Sequence, residues 1–348
     1  MAVYTKQVQI GKLSIGGGAP VAIQSMLNRP AADISGNVEQ ARALEAAGCE
    51  MIRAAVPTMQ DVPLITALKA AVRVPIIADI HFDYRIALAC VDAGVDKIRI
   101  NPGNIGSDDK VRAVAEKCKE AGIPIRIGVN SGSVEKHILQ KYGGVTAEAL
   151  VESALYHASL LERFGFNDIV LSMKASDVQL MFDAYKLAAQ RTDYPLHLGV
   201  TEAGTARMGL VKSAAGIGGL LLSGIGDTLR VSLTDDPVRE VAAARDILAA
   251  CGVRRFGVNI VCCPTCGRTK IDLIALANRV EQALKDCDKP ITVAVMGCAV
   301  NGPGEAAGAD IGVAGGDGCG LLFKKGKIIK KVEEHQLFDL LMQEIQEL

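Results

Sequence analysis

The sequence predicts an α/β protein: a (β/α)8 TIM-type barrel followed by a small α/β domain. Eight short β-rich runs alternate with amphipathic helical stretches through the first two-thirds of the chain, and from about Gly252 that pattern breaks while Cys and Gly become more frequent. Composition agrees, because apolar residues are 49% of the chain, aromatics only 4% and Trp absent. The core must then be built from Ala, Val, Ile and Leu, as in proteins with buried parallel strands. A length of 348 residues suits a large barrel plus a smaller domain, divided as 1–251 and 252–348.

The strand runs, in order, are AIQSM (22–26), EMIRAAV (50–56), PIIADIHF (75–82), DKIRINP (96–102), PIRIGVN (124–130), DIVLSMK (168–174), PLHLGVT (195–201) and TLRVSLT (228–234). Helical stretches such as VEQARALEAAG and ALVESALYHASLLERFG separate them, with apolar residues three or four apart. Gly48, Gly94, Gly122, Gly165 and Gly252 read as helix C-caps. Eight such units over about 230 residues favour a closed barrel over a doubly wound sheet. The preceding VQIGKLSIGGG reads as a β-hairpin covering the barrel floor. After Gly252 the pattern predicts a strand (256–261), a Cys loop, a helix (271–286), a strand (291–296), a Gly-rich loop, short strands turning at Gly326, and a final helix (333–347).

Thirty-eight Lys and Arg against 39 Asp and Glu leave a formal charge of −1, so the global field offers nothing to a nucleic acid or a membrane, and any anion site must be local. The N-terminus lacks a signal-peptide core and no apolar run reaches membrane-spanning length, which predicts a cytoplasmic protein. Ten cysteines in a reducing compartment point to metal or redox use where they cluster.

Chemistry in such a barrel gathers at the C-terminal ends of the strands. Those ends carry Arg53, Asp79, His81, Arg99, Asn101, Arg126, Asn130, Lys174, His197, Thr201, Glu202, Arg230 and Ser232. Alternation puts Asp79 with His81, Arg99 with Asn101, Arg126 with Asn130, and Arg230 with Ser232 on shared faces. Five cations at equivalent strand ends repel one another unless an anion lies among them, and a phosphate or diphosphate fits best. Arg offers paired donors to phosphate oxygens and Lys174 a point charge. Asp79, His81 and Glu202 are then the groups for proton delivery. A Schiff-base role for Lys174, as in barrel aldolases and lyases with a structural zinc domain, is the rival, ranked lower because no desolvating pocket is legible in the sequence.

In the second domain Cys263 and Cys266 form a C-x-x-C within VCCPTCGR, and MGCAVNGPGE adds Cys298 and Glu305. By spacing alone three thiolates suit either zinc with a fourth ligand or a [4Fe–4S] cluster with one iron left open. Cys262 and Cys319 are spare thiols with no assigned role.

The segments ADIHF, IRINPGNIG, RIGVNSGS, TEAG, GIGDTLRVSLTDDP, CPTCGR and MGCAVNGPGE, spread over essentially the whole chain, resemble the 4-hydroxy-3-methylbut-2-en-1-yl diphosphate synthase family of the non-mevalonate isoprenoid pathway, in its compact bacterial form. The resemblance implies reductive ring opening of 2-C-methyl-D-erythritol 2,4-cyclodiphosphate, with ferredoxin or flavodoxin as electron donor. It further implies a [4Fe–4S] cluster on Cys263, Cys266 and Cys298 with Glu305 as fourth ligand, and diphosphate binding by Arg53, Arg99, Arg126, Asn130, Lys174 and Ser232. Glu202 is placed by the reacting carbon, and a homodimer is implied in which one subunit's barrel meets the other's cluster domain.

Overall fold

The computed structural model describes residues 4–285, 287–299, 304 and 306–348. It divides into two compact units, the first ending at Arg254 and the second beginning at Arg255. Arg254 stays with the first unit because its guanidinium donates to the Val21 carbonyl at 2.9 Å and pairs with Glu50 at 2.6 Å.

The first unit opens with the antiparallel hairpin β1 (Val8–Ile10) and β2 (Leu13–Ile15), turned through Gly11 at φ 54°. Val8, Ile10 and Ile15 bury against Ala22, Met51, Ile77 and Val170. These four stand at or near the beginnings of barrel strands, so the hairpin closes the floor, as its apolar alternation predicts.

Eight strands then form the barrel: β3 (Ala22–Met26), β4 (Met51–Ala55), β5 (Ile76–Asp79), β6 (Lys97–Ile100), β7 (Ile125–Asn130), β8 (Ile169–Lys174), β9 (His197–Leu198) and β10 (Thr228–Leu229). Neighbours pair parallel in the order β8-β7-β6-β5-β4-β3-β10-β9, and a Leu171–Leu196 bridge joins β8 to β9 and closes the ring. A helix follows every strand, from Ile34–Ala46 after β3 to Pro237–Ala250 after β10. Local chemistry sets their ends. Asp33, Asp83, Asp177 and Asp236 each accept a hydrogen bond from a first-turn N–H. Gly48, Gly94, Gly122, Gly165 and Gly252 take positive φ where the sequence places C-caps.

Strands β9 and β10 are two residues long, shorter than the runs 195–201 and 228–234 suggest. Backbone pairing runs past these ends, Arg230 N–H donating to the Leu198 carbonyl at 3.0 Å and Thr201 N–H to that of Ala175 at 3.2 Å, and the stretch is crowded from β8. A Cβ on Gly199 would meet Lys174 Nζ at 2.5 Å and the Arg230 carbonyl oxygen at 2.9 Å, so Lys174 occupies space beside this stretch that an ordinary side chain would fill.

The second unit is a five-stranded sheet ordered β11 (Asn259–Cys262), β12 (Thr292–Met296), β13 (Ile311–Gly315), β14 (Cys319–Lys324) and β15 (Lys327–Glu333). The first three strands run parallel and the last two pair antiparallel, turning through Lys325 and Gly326 at φ 48° and 74°. Helices Leu273–Leu284 and Leu337–Gln346 contribute Val280, Leu284, Leu341 and Ile345 to a core shared with Val293, Val295, Val313 and Leu322. Among the described residues no helix is long and apolar enough to cross a membrane.

Candidate active site

A cavity of about 270 Å³ opens at the C-terminal ends of the barrel strands. Arg53, Asp79, His81, Arg99, Arg126, Asn130, Lys174, Thr201, Arg230 and Ser232 line it, together with Met26 and Ser172. Three of the strand-end residues are not in that lining. Asn101 is buried, but β6 ends at Ile100 and the backbone turns into the short helix Pro102–Ile105, so the alternation counted from Arg99 stops before it. Glu202 follows the lining residue Thr201 but lies on a backbone turned to φ 50°, a left-handed conformation that costs a non-Gly residue strain. His197 lies deeper: it is fully buried below the cavity with its Nδ1 2.8 Å from Thr228 Oγ1.

Asp79 is the anionic centre of this wall. Arg99 Nη1 stands 3.1 Å and Arg53 Nε 3.6 Å from its carboxylate, with His81 Nε2 at 4.0 Å. Burial works to raise its pKa, yet Arg53, Arg99, His81 and Arg126 together hold it below the ordinary carboxylate value. Arg230 has its own acid, Glu240, at 3.4 Å. Among the described residues Arg126 and Lys174 carry no such ion pair, and Arg126 Nε and Nη2 are buried without a hydrogen-bond partner. Burial, then the neighbouring cations, lowers the pKa of both well below its usual value. Arg53 is pulled down to about 10 by burial, with Asp79 opposing and Arg230 and Arg99 adding to the fall.

Five cations thus face a single lining carboxylate. The guanidiniums of Arg53 and Arg230 also rest on a soft acceptor. Met26 Sδ lies 2.7 Å from Arg53 Nη2 and 3.3 Å from Arg230 Nη1, and a thioether is a weak partner for a charged donor. Strong donors held on weak or missing acceptors leave this wall with more positive charge than its lining groups balance.

Sequence reasoning missed four contributors. Ser172 stands two residues before Lys174 on β8, and Met26 ends β3, a strand on which the sequence offered no charged residue to set the inward phase. Gly128 and Gly199 are spacers: a Cβ on Gly128 would meet Arg99 Nε at 2.5 Å, as one on Gly199 would meet Lys174. The deep burial of Lys174 also supplies the desolvated setting that its sequence did not reveal.

In the second unit, Cys263 follows β11 and Cys298 lies two residues beyond β12. These strands are adjacent and parallel, with Cys262 in register with Val295, so both thiols leave the same end of the sheet. Gly297 N–H donates to Cys263 Sγ at 3.1 Å, and Cys263 packs against both apolar clusters of the unit. For Cys266, the Arg268 backbone and side chain favour the thiolate and lower its pKa. Burial, then Cys263 and Glu281, pushes Cys262 the other way. Among the described residues no three His, Cys, Asp or Glu converge closely enough to hold a metal ion, and Glu305 lies outside the described residues. Cys263 and Cys298 at one sheet end, the first receiving an N–H bond, and Cys266, favoured as thiolate, are donors of the soft type that iron and zinc take.

Fold and site together describe a (β/α)8 barrel with a cationic mouth and a thiol-bearing second unit. Comparison with known families extends this. The GcpE TIM-barrel domain matches residues 5–245 and the GcpE protein C-terminal domain matches residues 259–347. The chain belongs to the GcpE family. It is 56% identical over 348 residues to the 4-hydroxy-3-methylbut-2-en-1-yl diphosphate synthase (flavodoxin) of Caldanaerobacter subterraneus subsp. tengcongensis, covering 100% of this chain and 98% of that one. It is also 56% identical over 343 residues to the enzyme of the same name from Clostridium acetobutylicum, covering 99% and 98%. Among solved structures, dihydropteroate synthase from Stenotrophomonas maltophilia aligns with 71% of this chain and 97% of its own at a TM-score of 0.51 and 15% identity. That likeness concerns the barrel fold alone.

Proposed function

We propose that the barrel mouth is the diphosphate clamp of a reductive dehydroxylation, and that the second unit holds the iron–sulfur group supplying its electrons. The activity is conversion of 2-C-methyl-D-erythritol 2,4-cyclodiphosphate to 4-hydroxy-3-methylbut-2-en-1-yl diphosphate. It consumes two electrons and a proton and releases the oxygen as water. The observation that carries the clamp is the set of five cations facing one lining carboxylate, with Arg126 left without an acid.

Arg126 and Lys174 bind the diphosphate most strongly, because it relieves a repulsion among the cations that Asp79 offsets only in part. Asp79 orients Arg53 and Arg99 towards the ligand, while Asn130, Thr201 and Ser232 offer neutral hydrogen bonds. As the ring C–O bond breaks, charge accumulates on an oxygen already surrounded by fixed donors. His81, side chain 47% exposed and held near Asp79, is placed to pass a proton from solvent; Glu202, on the adjoining loop, and Asp79 are the other candidates. A [4Fe–4S] cluster on Cys263, Cys266 and Cys298, with Glu305 as fourth ligand, would supply electrons one at a time. Flavodoxin, named with the relatives' activity, is the proposed donor, with ferredoxin the alternative, and the cytoplasm the proposed compartment.

A homodimer is part of this proposal. Arg254 is fastened to Val21 and Glu50, which precede β3 and β4, so the chain leaves the barrel at its floor, opposite the cationic mouth. A cluster unit from a second copy reaches that mouth without the connecting segment having to cross the barrel.

The desolvated Lys174 also favours a Schiff-base reading. Anaerobic purification with an absorption spectrum and iron and sulfide analysis separates the two. Broad visible absorbance with roughly four irons and four sulfides per chain is expected. A colourless zinc protein that traps a carbonyl ligand on Lys174 with borohydride would overturn the proposal.

A further inference from the structure

Directly beneath the clamp lies a buried layer that the chemistry above does not use. Strand alternation carries the inward face from Met26 down to Gln24, from Arg99 down to Lys97, and from Arg230 down to Thr228. With His197 these residues form a polar half-layer inside the barrel, beside the apolar Met51, Ile77 and Val170 of the floor. Lys97 is 0% exposed, and the contact made by its Nζ is with Met51 Sδ at 3.7 Å. Gln24 Oε1 and Nε2, His197 Nε2, and Arg126 Nε and Nη2 are all buried without a partner. Buried polar atoms of this kind are satisfied by internal water, for which a polar interior with several partners is the required setting.

The charged groups acting on Lys97 are Arg126 and Arg53, both cations, and His197 faces it from β9. Asp79, one layer nearer the mouth, is engaged by Arg53 and Arg99. No carboxylate among the described residues pairs with Lys97, and burial followed by Arg126 and Arg53 disfavours its ammonium form. A bound diphosphate would bring negative charge to this part of the barrel, where Asp79 is already engaged by Arg53 and Arg99.

We propose that Lys97 stores a proton for the clamp: buried against Met51 and neutral while the mouth is free, it takes up a proton when a diphosphate binds above it. The amine becomes an ammonium, and the added charge tightens the hold on the anion. Lys97 is therefore a positioning residue that acts through Arg126, since Lys97 does not line the cavity. The inference rests on the clamp reading.

Calorimetric titration of the full-length protein with inorganic pyrophosphate, in buffers of different ionisation enthalpy at one pH, reads protons taken up per ligand bound. Changes in the ligand's own ionisation are common to all variants and cancel in the comparison. Wild type should take up more protons than K97M by roughly one per barrel, and its affinity should fall more steeply as pH rises. K97R, charged throughout, should also lose this uptake while keeping more of the affinity than K97M. Equal uptake in wild type and K97M, or a pH slope unchanged by either substitution, overturns the proposal. Absence of pyrophosphate binding in wild type would instead remove the clamp, and the inference with it.

Discussion

Replacing Arg126 by Met should weaken substrate binding while raising the stability of the ligand-free protein. Arg126 is 1% exposed, two of its nitrogens are buried without partners, and its nearest charged neighbours include Arg53 and Arg99. Without ligand it is a buried cation with no ion pair among the described residues, offset only in part by Asp79. Replacing buried charge by an apolar side chain of similar reach is neutral or stabilising by about 1 to 4 kcal/mol. At about 2 to 4 °C per kcal/mol for a unit of this size, the melting temperature should rise by several degrees. With ligand bound the sign reverses. Loss of a charge-assisted contact costs about 1.5 to 3 kcal/mol, a fall in affinity of roughly ten- to more than a hundredfold. Thermal melts without ligand and calorimetric titration with the cyclodiphosphate read the two halves, and iron content checks that the second unit is untouched. A variant that melts lower and binds as tightly as wild type would refute the assignment of Arg126 to an anion site.

The two spacer glycines offer a test that leaves every charge in place: G128A and G199A should displace Arg99 and Lys174, cost about 1 to 3 kcal/mol of stability through overpacking, and reduce substrate affinity about tenfold or more. Asp79→Asn should destabilise the protein at neutral pH by about 3 to 5 kcal/mol, because Arg53 and Arg99 lose their carboxylate. Since the folded-state pKa of Asp79 is depressed, its contribution is present above the ordinary carboxylate pKa and is lost as pH falls through the folded value. Urea unfolding should therefore show wild type and D79N converging only below about pH 4. Cys298→Ser should abolish stable iron and sulfide incorporation, whereas Glu305→Ala should retain three thiol ligands, assemble the cluster and lose it faster, as anaerobic iron analysis over time would record. Mixing Cys263→Ser with Lys174→Ala protein should restore activity through hybrid dimers, and no recovery after verified subunit exchange would contradict the shared site.

The barrel was legible because eight apolar strand runs alternate with amphipathic helical stretches, several closed by a Gly that takes positive φ. The clamp was legible for a related reason, since charge at a strand's C-terminal end is unusual and inward phase follows from a period of two. Asn101 shows where that counting stops, because the strand ends one residue earlier and the backbone turns. Gly128, Gly199 and Met26 carry no charge to draw attention, and what they do depends on which side chain reaches across from the neighbouring strand. The burial of Lys174 is likewise a property of eight strands meeting, which no single segment encodes. For the cysteines, the sequence shows three donors, and the parallel register of β11 and β12 explains why segments 34 residues apart share a sheet end.

The most direct test is a stoichiometric turnover experiment with the anaerobically reconstituted protein, reduced flavodoxin and the cyclodiphosphate. The account predicts one 4-hydroxy-3-methylbut-2-en-1-yl diphosphate formed for every two electrons withdrawn from the donor, no turnover without reductant, and loss of product formation in Arg126→Met and Cys263→Ser alike. Product appearing without electron consumption, or cleavage of the carbon skeleton in place of its reduction, would contradict it.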